Sequence, residues 1–173
     1  MKREIAYIGL GSNFPDKDER LARAVDELGA LPDFEIAGVS SAYLTEPQGI
    51  REQPWFANRI VAAIPGPSWS PATLLKRMLE IEAGLGRTRG STPRNGPRAI
   101  DLDLLLYGER KLSLPECVVP HPRLLRRAFV LAPLIELAPD IVIDGVLGGD
   151  ALSSLDWRLE GNRIYQGAPD EAD

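Results

Sequence analysis

Two aspartates, Asp101 and Asp103, stand two apart in the run Ala99-Ile100-Asp101-Leu102-Asp103-Leu104-Leu105. The length and apolar pattern of Ala99 to Tyr107 predict a β-strand. Side chains at i and i+2 of a strand share a face, with Cα atoms about 6.5–7 Å apart. Ile100, Leu102 and Leu104 then point to the opposite face, toward a core. Two carboxylates on one face repel each other unless cations sit between or beside them. With one cysteine (Cys117) and one histidine (His121) in the chain, oxygen ligands select a hard cation, Mg2+ above all. The spacing alone fits an exposed strand face bearing two acids equally well. Four arginines just upstream, Arg87, Arg89, Arg94 and Arg98, tip the balance. Planar guanidinium forks beside a metal-binding acid pair suit a polyphosphate.

His121 lies between Pro120 and Pro122, a frame that fixes its direction, with Arg123, Arg126 and Arg127 nearby. It reads either as a satisfied structural histidine or as a phosphate contact. Other phosphate-binding signatures are missing. There is no G-x-x-x-x-G-K-[ST] loop, and Gly9-x-Gly11 fails as a dinucleotide fingerprint because position 14 is Phe. No kinase signature set and no G-x-S-x-G elbow are present. Cys117 has no histidine-based network to activate it and reads as a small buried residue.

These residues need a scaffold, and the rest of the chain predicts one. Ile5 to Leu10 reads as a buried strand ended by Gly11-Ser12-Asn13, and Asp16 to Leu28 as a helix with Leu21, Val25 and Leu28 on one face. Phe34 to Thr45 and Ala57 to Ile64 read as two paired strands around the polar segment Glu46 to Pro54, a loop long enough to be functional. Ser70-Pro71 opens a second helix whose stripe is Leu74, Met78, Ile81 and Leu85. After the acid-bearing strand comes a helix around Ala128 to Leu137. The order β-α-β-β-α-β predicts an α+β, ferredoxin-like sandwich with a C-terminal extension. The 173 residues make one domain, and those after about Asp156, ending in Asp170, Glu171 and Asp173, are expected to be loosely ordered.

Composition narrows the function. Twenty Lys+Arg against 25 Asp+Glu give a net charge of −5, which weighs against a general nucleic-acid binder. No run approaches the roughly 18 apolar residues of a membrane helix. The apolar N-terminal run is too short for a signal peptide, and the cysteine count favours a cytoplasmic setting. No heptad or apolar patch asks for a partner, so a monomer is expected.

The run Arg94-Asn95-Gly96-Pro97-Arg98-Ala99-Ile100-Asp101-Leu102-Asp103-Leu104-Leu105 closely resembles the signature of the 6-hydroxymethyl-7,8-dihydropterin pyrophosphokinase family. Ala6-Tyr7-Ile8-Gly9-Leu10-Gly11-Ser12-Asn13 is similar to that family's first strand and turn. Ser40 to Pro47 and Gln53 to Asn58 are similar to its pterin-binding loop, and Val119-Pro120-His121-Pro122 with Arg127-Ala128-Phe129 to its closing segment. The resemblance covers roughly residues 5 to 140 and implies a folate-pathway enzyme that moves pyrophosphate from ATP to a pterin alcohol. It implies that Asp101 and Asp103 hold two Mg2+ ions on the ATP phosphates. Arg87, Arg98 and His121 would contact the triphosphate, with Arg89, Arg94 and Arg127 as auxiliary cations. Asn58 would read the pterin edge with backbone groups of Thr45 and Gln48, and Phe56 and Phe129 would stack on the ring. Without the resemblance, both phenylalanines read as core and Asn58 as a strand-start hydrogen bond. Asn95 stands where the family often has Trp, and Pro122 where it often has an aromatic. Two other readings remain: a sensor or RNA-binding module without chemistry, and another metal-dependent phosphoryl or glycosyl transferase.

Overall fold

The computed structural model describes residues 3–88, 90 and 96–167. Arg89, Arg94 and Asn95 lie outside the described residues.

The elements follow in the order β1 (Ala6–Ser12), α1 (Lys17–Gly29), β2 (Phe34–Val39), β3 (Tyr43–Thr45), β4 (Phe56–Pro65), α2 (Pro71–Gly84) and β5 (Asp101–Tyr107). Then come β6 (Leu112–Leu114), β7 (Cys117–Val119), a short 3-10 turn (Leu124–Arg126) and α3 (Ala128–Leu137). β8 (Val142–Ile143), β9 (Val146–Leu147), α4 (Gly148–Ser153), β10 (Trp157–Glu160) and β11 (Arg163–Gln166) complete the chain. The main sheet runs β10-β11-β3-β4-β1-β5, and β2 joins the same edge of β4 as β3. The architecture is α+β.

Both helices expected early in the chain form, with their starts set by local chemistry. Asp16 sits at the start of α1 and its carboxylate holds Arg20 at 2.7 Å. Asp18 and Glu19 occupy the first turn, where the helix dipole favours acids. Ser70 caps α2 in a reciprocal capping box with Thr73, and Pro71 takes the first helical position.

Alternation then divides the sheet into two faces. Ile8, Leu10, Leu102 and Leu104 face α1 and α2 and pack with Leu21, Leu28, Leu74 and Met78. The opposite face carries Ile60 and Leu105 against Leu131 and Leu134 of α3. α3 is apolar nearly all round because it is covered on both sides.

Three expectations need correction. Phe34 to Thr45 is not one strand: the chain breaks at Ser40–Ala42 and pairs with two different stretches of β4. Ser40, fully buried, bridges the break by donating its N–H to the Ile60 carbonyl and accepting from the Ile60 N–H, both at 2.9 Å. β1 does not end at Leu10, because Gly11 and Ser12 have strand partners in β4, and Gly11 in β5 as well. Residues after Asp156 are not loose as far as Gly167: β10 and β11 form a hairpin, and β11 adds in parallel to β3.

Leu74 is fully buried between α2 and the sheet, away from any polar group of the cleft described below. Leu74→Ala is expected to lower unfolding free energy by about 2–5 kcal/mol in urea titrations. A loss under about 1 kcal/mol would mean that this face is not the principal core.

Candidate active site

On the α3 side of the sheet, β1 presents no side chain at two consecutive inward positions, Gly9 and Gly11. Their register partners are Asp103 and Asp101 on β5, and Ile60 and Asn58 on β4. Two cross-strand rows result: Asp101–Gly11–Asn58 and Asp103–Gly9–Ile60. The glycines make a trough between a carboxylate wall and an amide wall. A Cβ at Gly11 would lie 2.7 Å from Asn58 Oδ1, so a larger residue there would displace the amide. The cleft above this trough has a volume of about 370 Å3, within the range that takes a small organic ligand.

The amide wall comes from β3, β4 and the loop between them. Asn58 Nδ2 donates to Thr45 Oγ1 at 2.6 Å. Phe56 lines the cleft from the start of β4, and Phe129 from the first turn of α3. Gln48 also lines it, and its Oε1 is buried with no hydrogen-bond partner among the described residues. A buried acceptor left without a donor is costly, so this position favours a ligand N–H.

The carboxylate wall is held by arginines. Arg87 reaches Asp101 Oδ1 and Arg98 reaches Asp101 Oδ2. Arg87 also donates to Glu82 Oε1 at 2.8 Å. Glu82 projects from α2, is 1% exposed, and its Oε1 also accepts the Leu102 N–H at 2.8 Å. Burial pushes the Asp101 carboxyl up, but Arg98 and Arg87 outweigh it and hold the group below the usual range. Among the described residues, the ion pair of Asp103 is with Arg127, at 3.6 Å. Burial and the neighbouring Asp101 charge push its carboxyl up to about 6, against the pull of Arg127 and Arg98. Adjacent acids on one strand thus have opposite protonation tendencies.

Arg98 and Arg127 line the cleft; Arg87 and His121 do not, although Arg87 grips Asp101 from behind. The His121 N–H donates to the Leu105 carbonyl at 2.8 Å, and Nδ1 accepts from the Arg123 N–H at 3.1 Å. That bond leaves the proton of the neutral ring on Nε2. Burial, with Arg127 and Arg123 close by, lowers the imidazole to about 4, so it is uncharged at neutral pH. Arg123 itself lines the cleft.

Several contributors are not singled out as site residues by the sequence: Glu82, Leu105, Arg123, which reads there only as basic company for His121, and the glycine trough, whose Gly11 reads as a turn. The Gly9-x-Gly11 spacing was visible, and strand alternation could have assigned both glycines to the acid-bearing face. Asn13 is another. It is 2% exposed and ties two loops together. Its Nδ2 donates to Gln53 Oε1 at 2.9 Å and to the Pro54 carbonyl at 3.1 Å, while Oδ1 accepts the Arg98 N–H at 2.8 Å.

Residues 7–139 match the family model described as 7,8-dihydro-6-hydroxymethylpterin-pyrophosphokinase. The chain belongs to that family. A 2-amino-4-hydroxy-6-hydroxymethyldihydropteridine pyrophosphokinase of Methylorubrum extorquens is 46% identical over 151 residues, covering 87% of this chain and 93% of that protein. Its Pseudomonas aeruginosa counterpart is 42% identical over 135 residues, covering 78% of this chain and 81% of that protein. The fold also matches the crystal structure of Plasmodium falciparum HPPK-DHPS wild type with SDX-DHP, with a TM-score of 0.63 at 14% identity. That match covers 87% of this chain but 43% of the other, so the present chain spans less than half of the Plasmodium protein. Within the pyrophosphokinase family segment lie the trough, the acid pair and both phenylalanines, whereas β10 and β11 fall beyond it.

An acid whose folded-state value lies above its unfolded one destabilises the fold when charged. For Asp103 that cost is present above about pH 6 and fades as pH falls toward the unfolded value near about 4. Asp103→Asn is therefore expected to raise the melting temperature of the ligand-free protein at about pH 8, with the gain gone near pH 4. A lower melting temperature at high pH would mean that Arg127 more than compensates the charge.

Proposed function

We propose that this chain transfers the pyrophosphoryl group of ATP to the hydroxymethyl oxygen of 6-hydroxymethyl-7,8-dihydropterin, releasing AMP, as a step of folate biosynthesis. The observation that carries the reading is the pairing of two walls across one glycine trough, acids and arginines on one side and an amide on the other, with Phe56 and Phe129 lining the cleft above it. The first suits a metal-bound polyphosphate and the second a flat heterocycle with hydrogen-bonding edges. Family membership supplies the reaction that joins them.

The pterin ring would stack between Phe56 and Phe129. Asn58 would meet the amino-oxo edge together with backbone groups of Thr45 and Gln48, and the unpaired Gln48 Oε1 would accept a ring N–H. The pterin oxygen attacks the β-phosphorus in line; its bond to phosphorus forms as the bond from that phosphorus to the α–β bridging oxygen breaks, and the bridging oxygen leaves with AMP. The hydroxyl proton is released as the bond forms. Arg87 and Arg98, now on Asp101, would move to phosphate oxygens, with Arg89, Arg94 and Arg127 as further cations and His121 offering its Nε2 proton. Catalysis then rests on alignment and charge.

Asp101 and Asp103 would hold the metal, proposed as two Mg2+ ions. The donor set fits: both ligands are carboxylates, and among the described residues no cluster of three His, Cys, Asp or Glu side chains exists. Mg2+ tolerates so few protein ligands because phosphate oxygens and water fill its octahedron. When bound, it neutralises charge on the transferring group.

The strand order β2-β4-β1-β5, with α1 and α2 on one face, supports reading the central unit as a ferredoxin-like βαββαβ sandwich within a single domain. No helix among the described residues is long and apolar enough to cross a membrane. The buried, free Cys117 supports a cytoplasmic setting, and the net charge of −5 a protein that does not bind nucleic acid; a monomer is proposed with them.

Chromatography of a reaction with ATP, Mg2+ and the pterin is expected to give pterin-dependent AMP and no ADP, and excess chelator is expected to stop it. ADP would redirect the reading to an ordinary kinase, and no turnover by folded protein to a binding module. Asp101→Ala and Asp103→Ala are each expected to abolish AMP formation while the far-ultraviolet dichroism stays native. Turnover retained by either would overturn the metal assignment. Phe129→Ala should weaken pterin binding far more than ATP binding, and equal losses would return Phe129 to the core.

A further inference from the structure

The hairpin β10–β11 lies beyond the family-matched segment, yet it touches both walls of the cleft. Alternation along β11 explains how. Arg163 and Tyr165 face one way, and Ile164 and Gln166 the other. On the first side, Tyr165 meets the Trp55 ring edge-to-face at 4.9 Å, and the Arg163 guanidinium lies 5.3 Å from the Trp55 ring centre. Trp55 directly precedes Phe56. On the same strand the backbone fixes the flanks of Thr45: the Leu44 N–H donates to the Asn162 carbonyl at 2.7 Å, and the Glu46 N–H to the Ile164 carbonyl at 3.0 Å.

On the second side, Ile164 is buried in the α3 core. Gln166 spans the backbone on either side of Arg127: its Nε2 donates to the Arg126 carbonyl at 2.9 Å, and its Oε1 accepts the Ala128 N–H at 3.3 Å. Ala128 is the first residue of α3, and its N–H is one of those the helix itself cannot satisfy. One side-chain amide thus fixes the stem of Arg127, which reaches Asp103, and the helix start that carries Phe129. The base of the hairpin is closed by the Gly167 N–H donating to the Asp156 carbonyl at 2.7 Å.

We propose that this hairpin is a strap that sets the distance between the Phe56 and Phe129 walls, with Tyr165 and Gln166 as its positioning residues. The proposal rests on reading the cleft as the pterin site. Neither residue lines the main cleft, so the strap acts on substrate only through the walls it ties together.

Steady-state AMP formation and hydrogen exchange, read on Tyr165→Ala, Tyr165→Phe and Gln166→Ala, test it. Tyr165→Ala is expected to raise the pterin KM at least fivefold with the ATP KM within twofold, and Tyr165→Phe, which keeps the ring, to restore it. Gln166→Ala is expected to raise the pterin KM comparably and to speed exchange at the Ala128 amide at least tenfold, with α1 amides unchanged. A pterin KM within twofold of wild type in both alanine variants overturns the strap, whether or not the melting temperature falls. Unchanged exchange at Ala128 overturns it independently of any activity. Failure of the wild-type chain to make pterin-dependent AMP would instead strike the functional reading, and the exchange experiment would still judge the strap.

Discussion

Like charges on one face of a strand set the terms for everything around them. Asp101 and Asp103 are two residues apart, so the pleat brings both carboxylates into the same cleft. Neither can move to the core face without a register slip that would also eject Leu102 and Leu104 from it. The fold therefore brings cations to the acids. Arg98 arrives from the loop before β5, Arg87 from the end of α2, and Arg127 from the entry to α3. Glu82, buried on α2, orients Arg87 and takes up the N–H of Leu102 between the two acids. One arginine from the adjoining loop and two from farther along the chain converge on one short run of β5.

The same sheet keeps its two tasks on separate faces. Toward α1 and α2 it carries large aliphatic side chains and forms the principal core. Toward α3 it is hollowed by Gly9 and Gly11, which contribute no side-chain packing and leave the cleft open. Glycine in a strand interior weakens the strand. Here the weakness is offset because β1 is central, hydrogen-bonded to β4 on one edge and β5 on the other. A hollow of this kind would be harder to keep on an edge strand with one neighbour.

Much of this was legible in the residues. Periodicity located α1 and α2, Ser70-Pro71 located the start of α2, and the apolar alternation of Ala99 to Tyr107 put both acids on one face. The Arg94–Leu105 run pointed to the family. What escaped reading depended on contacts between distant residues. The break at Ser40 follows from β4 being long enough to take two partners along one edge, which no local propensity encodes. The hairpin at 157–166 was read as tail because its residues are polar; its order comes from β3, Trp55 and the α3 terminus. Glu82 has no sequence signal, because only its burial and its two partners give it a position.

The opposite tendencies of the two acids have a mechanical meaning. Among the described residues, Asp101 already spends its two oxygens on arginines, whereas Asp103 has one arginine at a longer reach. A cation entering alone at Asp101 would have to displace Arg98 from its carboxylate, or leave Arg87 with Glu82 alone, and taking a counter-ion from a part-buried guanidinium is expensive. A cation entering with a polyphosphate brings replacement oxygens for those same arginines, so each pair is exchanged rather than lost. At the proposed site, these ion pairs would resist a bare metal and yield to a metal already on phosphate. On the proposed reading, that exchange would free Arg98 at the cleft wall and Arg87 beside it at the moment the transferring group needs them. On that reading, the repulsion that brings arginines to β5 would also store them where phosphate is proposed to bind.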